Sequence, residues 1–254
     1  MSYLPYPSVE TPPDGAVLWR YLSFVKFIEL IERSKLWLSL VSRFEDPLEG
    51  TFTDAEILYS ASSALAGRRP ESELETAGQL LTTFANLMCF VNCWREGDQE
   101  SMAMWDLYGK GEGTIAIKSN VRLLKEALSV EQMPVLIGRV QYFQWSTERA
   151  TPDHVSICFR KDSSYEHERE VRVAIIDPSQ FGGALSQLQP GARMVDLRNG
   201  MPAGLEVDFD AATSLTEIVI GPREQDRMQG MVESVLARYE VSINVRKSTR
   251  LRAR

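Results

Sequence analysis

Three acidic and two basic residues stand immediately before an apolar run, in the segment from Tyr165 to Ile176. If that run is a strand, its side chains alternate, so Glu168, Glu170 and Arg172 share one face and the valines between them share the other. A carboxylate on a strand suits chemistry in which positive charge develops on a sugar. A neighbouring arginine can hold a phosphate with two hydrogen bonds. The sequence therefore predicts a charged row above an apolar core.

Aromatic and polar residues elsewhere in the chain could complete a site with this row. Trp105 and Tyr108 lie in a short predicted helix, Arg20 and Tyr21 in an early strand, and Asp46 in an acidic loop at a strand end. The same residue types are also typical of an ordinary ion pair beside core aromatics. Both interpretations stay open at the level of residues.

The cysteines do not predict a metal site. Cys89 and Cys93, with His154 and Cys158, have the residue types of a zinc site. However, residues four apart on a strand are separated by about 13 Å, which is too far for one zinc ion. We expect no metal, and an odd number of cysteines in a chain of this length predicts no disulfide within it.

A catalytic histidine or a phosphate loop has little support. There are two histidines, and His167 alternates onto the apolar side of the predicted strand, where a half-buried imidazole is expected. The glycines of Gly109–Gly113 follow a helix and lack the spacing of a nucleotide loop. Gly221 stands between a strand and a helix, a position that can bind an anion but is more often a plain turn.

The composition limits the partners. A net charge of −7 argues against general nucleic-acid binding, which needs many basic residues. The basic tail at 247–254 is an exception that is typical of a solvated chain end. No apolar stretch approaches the ~20 residues of a membrane span, and no signal region is evident at the N-terminus. We expect a cytoplasmic protein that binds no membrane.

The pattern of elements predicts one α+β domain over residues 1–254 with a mixed, twisted sheet. Strands alternate with helices of unequal size, without the regularity of a doubly wound sheet or a barrel. The first 16 residues are expected to be irregular. The predicted strand at 217–220, the helix after it and a last strand at 242–245 have the spacing of a βαβ unit.

Several segments together resemble a bacterial family known as the domain of unknown function number twenty-nine seventy-one. They are the residues 18–39, 43–50, 104–113, 166–172 and 217–222. The order is that of the family, and the match covers most of the chain. One departure matters, because the family usually has histidine where Leu107 stands, so no role for that histidine applies here.

The layout of this family is similar to that of ADP-ribosyltransferases, including DNA-modifying toxins, and a split-sheet core is implied. The resemblance implies NAD as the substrate nucleotide and a defence or toxin setting. Arg20 or Tyr21 would hold the NAD ribose or phosphate, Tyr108 would stack on nicotinamide, and Glu170 would stabilise the transition state. The residues Asp46, Trp105, Glu168 and Arg172 would contribute to substrate binding.

Three functions therefore stay open. The first is nucleotide binding with ADP-ribosyl transfer, and the second is a non-catalytic module that binds a ligand or partner through the charged row. The third is a metal-dependent nuclease that uses Asp153 with Glu170 and Arg172. It is the weakest, because the last position of such a motif is ordinarily lysine, which arginine does not simply replace.

Overall fold

The computed structural model describes residues 3–46, 48–53, 56, 86–108, 113–130, 133–145, 148, 153, 155–179, 182, 200–224 and 226–250. A helix predicted from Leu74 to Met88 lies almost wholly outside these residues. Gly109, Gly111 and His154 also lie outside them, as do the last four residues of the basic tail.

Eleven strands occur in the described part of the chain. They are β1 (Val17–Ser23), β2 (Lys35–Leu40), β3 (Cys89–Glu96), β4 (Thr114–Asn120), β5 (Val135–Arg139), β6 (Gln141–Phe143), β7 (Arg160–Asp162), β8 (Glu170–Ile176), β9 (Gly204–Asp208), β10 (Glu217–Ile220) and β11 (Val245–Lys247).

Helices of unequal length connect them. The α-helices within the described ranges are α1 (Phe24–Arg33), α2 (Met102–Tyr108), α3 (Val121–Ala127), α4 (Ala211–Ser214) and α5 (Asp226–Arg238), and the 3-10 helices are Val41–Arg43, Leu128–Val130, Ser156–Phe159 and Ser163–Glu168. The Ser23 hydroxyl caps α1 by accepting from the Lys26 amide, as its position before an apolar helical stripe predicts. Asn120 caps α3 in the same way.

Nine strands form one mixed sheet. Seven follow the order β11-β10-β4-β1-β3-β2-β9, while β8 pairs with β3 and β5 pairs with β8. The pair of β10 and β11 is parallel and its connection contains α5, which is the predicted βαβ unit. The other pairs in this sheet are antiparallel, and β6 and β7 form a separate parallel pair. The predicted α+β class with a mixed, twisted sheet is confirmed.

Two predicted strands have different bounds. The strand expected from Val135 to Phe143 is divided into β5 and β6, because Val140 leaves the ladder and donates its amide to the Glu170 carbonyl oxygen. The last strand begins at Val245, three residues later than expected. The first described residues make turns and one isolated bridge between Tyr3 and Val135.

The core lies on both faces of the sheet. The largest apolar cluster packs α1, α3 and α5 against one face, and it contains Phe27, Leu124 and Val232. The opposite face carries two smaller clusters, one around Phe159 and the other around Trp105. Burial on both faces is the reason that the central strands read as nearly continuous apolar runs. Among the described residues, no helix has both the length and the apolar character that crossing a membrane requires.

Cys89 and Cys158 form a disulfide, with their Cα atoms 6.3 Å apart. The expectation of no disulfide within the chain was therefore wrong. The 3-10 helix that carries Cys158 packs on β3, and this approach of segments 69 residues apart is not visible in the cysteine spacing. Cys93 is a free cysteine.

This pairing predicts the number of reactive thiols. The protein denatured without reductant should show one thiol by Ellman titration, that of Cys93, because the other two sulfurs are bonded to each other. Reduction should raise the number to three. The variant Cys93→Ser should show none before reduction, and three thiols in the unreduced wild type would contradict the disulfide.

Candidate active site at a split in the sheet

The sheet opens beside the middle of β3. Strand β8 pairs with β3 from Cys89 to Arg95 along one edge. Two strands share the other edge of β3. Strand β2 pairs with residues 90–91 of β3, and β1 pairs with residues 95–96. Between these two short ladders, the β3 residues 92–94 have no strand partner on that edge. A gap between β1 and β2 follows directly.

Two side chains enter this gap. Arg20 on β1 donates from Nη1 to the Cys93 carbonyl oxygen at 2.7 Å, and Asn92 on β3 donates from Nδ2 to the Trp37 carbonyl oxygen at 2.8 Å. Buried carbonyl groups that lack a ladder partner must find another donor. The side chains therefore replace the hydrogen bonds that the split removes.

A cavity of about 390 Å³ adjoins the gap. Its walls come from β1, α1, β2 and β3, with Glu206 from β9. Four basic residues line it, namely Arg20, Lys26, Arg33 and Lys35, together with two acids and the ring of Trp37. The volume lies within the ~300–1,000 Å³ range of small-molecule sites.

Arg20 is a half-buried cation of this cavity, whereas Lys26 is exposed. Arg20 forms no ion pair with any residue that the structure describes, whereas Arg33 pairs with Glu206 at 2.5 Å. Burial lowers the pKa of the Arg20 guanidinium, and the charges of Cys93, Tyr108 and Glu170 act in the opposite direction. Arg20 thus lies within electrostatic range of Tyr108 and Glu170, and it connects the cavity to the charged strand β8.

The charged row is buried. The register is as predicted, since Glu170 and Arg172 share one face of β8 and Val171 and Val173 the other, but all four side chains are at most 4% exposed. Glu168 does not lie on the strand, because Arg169 has a positive φ of 46° and ends the 3-10 helix that contains it.

Glu170 is held by two cations. Its Oε1 accepts from Arg172 Nε at 2.7 Å, and its Oε2 accepts from Lys161 Nζ at 3.3 Å. Burial alone would raise the pKa of Glu170, but Arg172 and Lys161 together lower it to about 2. Its backbone amide donates to the Tyr142 hydroxyl at 2.8 Å. Glu170 is therefore ionised and fixed in position, as the ordinary ion-pair interpretation predicted.

Two further carboxylates complete the cluster. Glu168 accepts from Lys161 Nζ at 2.7 Å, and Glu49 forms an ion pair with Arg172. Burial raises the pKa of Glu49, while Arg172 lowers it. The cluster of Glu49, Glu168, Glu170, Lys161 and Arg172 thus combines three carboxyl groups with two basic groups.

Cys93 and Tyr108 lie at the edge of this cluster. Burial and the charge of Glu170 raise the pKa of the Cys93 thiol, so it stays protonated and donates to Glu170 rather than acting as a nucleophile. The Tyr108 ring is 48% exposed. Desolvation of its hydroxyl and the charges of Glu168 and Glu170 raise the pKa of Tyr108.

Three predicted site residues lie elsewhere. The Tyr21 hydroxyl accepts from the Ser101 amide, and its ring meets Trp105 edge-on at 4.8 Å between centroids, so the two rings pack together as core. Asp46 accepts from the Leu48 amide within its own turn. None of the three lines the described cavity. Their roles in binding stay predictions.

The structure also places two residues of the weaker hypotheses, His167 and Asp153. His167 is exposed in the 3-10 helix rather than half-buried on a strand, and its Nδ1 lies 3.2 Å from the Ser164 carbonyl oxygen. Asp153, the third residue of the nuclease hypothesis, accepts from the Val155 and Ser156 amides and from Tyr6, as a local cap. No group of three or more potential metal ligands occurs among the residues described.

Sequence reasoning did not find Lys161, Glu49 and Asn92. Lys161 stands only nine residues before Glu170, but β7 had not been predicted there. Glu49 belongs to the acidic loop from which Asp46 was chosen, and nothing in the sequence distinguishes the two. A signal for Asn92 was present, because it is the one polar residue within the apolar run from Phe90 to Trp94.

Two solved structures are similar to this chain over most of its length. One is "Thermus sp. 2.9 DarT in complex with ADP-ribosylated ssDNA", with 10% identity, 94% of this chain and 97% of that chain covered, and a TM-score of 0.41. The other is "Thermus sp. 2.9 DarT in complex with carba-NAD+", with 9% identity, 93% and 96% covered, and a TM-score of 0.36. A likeness of this extent carries no argument about function.

No family model and no curated protein matches the chain. The resemblance to the domain of unknown function number twenty-nine seventy-one therefore stays a prediction. The expectation of no general nucleic-acid binding also stays a prediction.

The pairing of Glu170 predicts how stability depends on acid. Its pKa of about 2 in the folded protein lies below the ordinary value of 4.5, so its contribution is complete above pH 4.5 and is lost as the pH falls towards 2. The free energy of unfolding of Glu170→Gln should fall less over this range than that of the wild type, by roughly 3 kcal/mol. Urea unfolding at several pH values measures this difference.

Glu126→Gln is the control for this measurement, because Glu126 is exposed and pairs only within α3. It should follow the wild-type profile. The raised pKa of Glu49 acts in the opposite direction, and Glu170 contributes to it, so the difference between variant and wild type reports these two coupled carboxyl groups together. Parallel profiles for Glu170→Gln and the wild type would show that Glu170 is not held as an ionised group.

Proposed function

We propose that this protein binds a nucleotide, NAD, in the cavity between β1, α1 and β2 and transfers its ADP-ribose group. The observation that carries the proposal is the Arg20 guanidinium, which lines the cavity and has a carbonyl oxygen but no described carboxylate as partner. A desolvated cation without a counter-ion is costly, and a phosphate would offset that cost with charge-assisted hydrogen bonds.

Arg20 would orient the nucleotide between two regions of different chemistry. The cavity offers further cations for a diphosphate, of which Lys26 at the start of α1 is exposed. Beyond Arg20 lie the half-exposed ring of Tyr108 and the ionised Glu170. Val171 and Val173 face the apolar cluster under α1, so Glu170 lies on the opposite face of the sheet. The nicotinamide ribose of a dinucleotide held at its phosphates by Arg20 would therefore have to pass through the split between β1 and β2 to reach the acidic cluster.

The acidic cluster has the charge that this transfer requires. When the bond between nicotinamide and ribose breaks, the electron pair leaves with nicotinamide and positive charge develops on the sugar. Glu170 is ionised and held in place by Arg172 and Lys161, so its carboxylate needs no reorganisation to stabilise that sugar. Tyr108 would stack on the departing ring. A nucleophile of the acceptor then forms the new bond to the sugar carbon.

A second function is favoured by one specific observation. Glu170 is 4% exposed and both of its oxygens accept hydrogen bonds from cations. A carboxylate with these contacts can serve solely to hold β7, β8 and the loop at Glu49 together. In that case the chain is a non-catalytic module whose cavity binds a nucleotide without turnover, and nicotinamide release decides between the two.

Arg20→Met tests the binding step. The variant should bind NAD at least about tenfold more weakly in isothermal titration calorimetry, because hydrogen bonds to charged groups contribute ~1.5–3 kcal/mol. Its melting temperature should change little, because removal of the half-buried charge offsets the loss of the donor to the Cys93 carbonyl oxygen. Arg122→Met is the matched control, because Arg122 is exposed on α3 and pairs with Glu126. Equal NAD affinity of Arg20→Met and the wild type would contradict the proposed site.

Glu170→Gln and Glu49→Gln together test the transfer step. Both remove one negative charge from the same cluster, but Glu170 acts electrostatically on Arg20 and Tyr108, and Glu49 is not among the charges that shift either group. Chromatography should show nicotinamide release from NAD by the wild type and by Glu49→Gln, and none by Glu170→Gln. Binding of NAD by the wild type without release would favour the non-catalytic module.

A further inference from the structure

Asn92 carries an unpaired acceptor beside the cavity. The side chain is 1% exposed and belongs to the cavity wall. Because Nδ2 donates to the Trp37 carbonyl oxygen at 2.8 Å, the amide orientation is fixed, since the reverse orientation would bring two oxygens together. Oδ1 has no hydrogen-bond partner in the described part of the chain. A buried acceptor of this kind is destabilising until a donor reaches it.

Trp37 also lines this cavity. Its ring is 43% exposed although Leu36 and Leu38 on either side of it are buried. On β9, a Cβ atom at Gly204 would lie 2.5 Å from Cε2 and Cζ2 of the indole, so only glycine allows the ring to pack directly on that backbone. The ring is therefore supported from β9 while part of it stays accessible, which suits stacking by a planar group.

We propose that this cavity recognises adenine through its exocyclic amino group, with the amine donating to Asn92 Oδ1 and the base stacked on Trp37. The inference rests on the proposed function, because Arg20 would hold the phosphates of the same nucleotide. Asn92 is then the residue that determines base specificity. A base without this N–H group would leave Oδ1 buried and unpaired, and sites built around such an acceptor discriminate strongly against a ligand that lacks the donor.

The test compares ADP with purine riboside 5′-diphosphate, which has hydrogen in place of the amino group. Isothermal titration calorimetry on the wild type should give about tenfold weaker binding of the purine compound, equivalent to ~1.4 kcal/mol. Asn92→Leu should lose this preference. Asn244→Leu is the control and should keep it, because Asn244 is exposed, does not line the cavity and donates from its side chain to Glu217.

The outcomes separate this inference from the proposed function. Equal affinity of the wild type for the two diphosphates overturns the role of Asn92 and leaves nucleotide binding intact. Binding of neither diphosphate and of no NAD overturns both proposals. If Asn92→Leu does not fold, the wild-type comparison still decides. Trp37→Ala should weaken both diphosphates to the same extent, since stacking does not depend on the amine, and a selective loss of ADP would contradict the assigned geometry.

Discussion

The divided edge of β3 is the constraint on which the site depends. Strand β8 takes one edge of β3 completely, so β1 and β2 have to share the other and can reach only its two ends. The carbonyl groups beside the gap cannot stay unpaired in a protein interior. Arg20 and Asn92 satisfy them from β1 and β3. The same geometry that interrupts the sheet thus draws two polar side chains into it.

The buried charges on β8 impose a second constraint. Both faces of β8 are buried, so Glu170 and Arg172 must be compensated by residues from other segments. Lys161 and Glu49 supply that compensation from β7 and from the loop after β2. Breaking one member of such a network leaves a buried charge, which explains why the charged residues of this strand contribute to folding whatever else they do.

The sequence predicts local features here better than distant contacts. The alternation of Glu170, Arg172 and the valines determines the register of β8, and Ser23 marks the start of α1, because both depend on neighbouring residues. Burial of the charged face could not be predicted, since a pattern of period two also describes an edge strand in water. The approach of Cys158 to Cys89 likewise depends on packing between segments that are far apart in sequence.

Hydrogen-bond satisfaction separates the structural from the ligand-binding residues of this chain. Each oxygen of Glu170 accepts from a cation, and Arg172 donates to Glu170, to Glu49 and to the Cys158 carbonyl oxygen, so these groups gain little from a new partner. Arg20 and Asn92 differ, because each uses one donor to repair the split and has remaining capacity. A nucleotide that binds both residues would give Arg20 a counter-ion and give Asn92 Oδ1 a hydrogen-bond donor. Binding should therefore depend on the residues in the split, while the cluster on β8 acts through its fixed electric field.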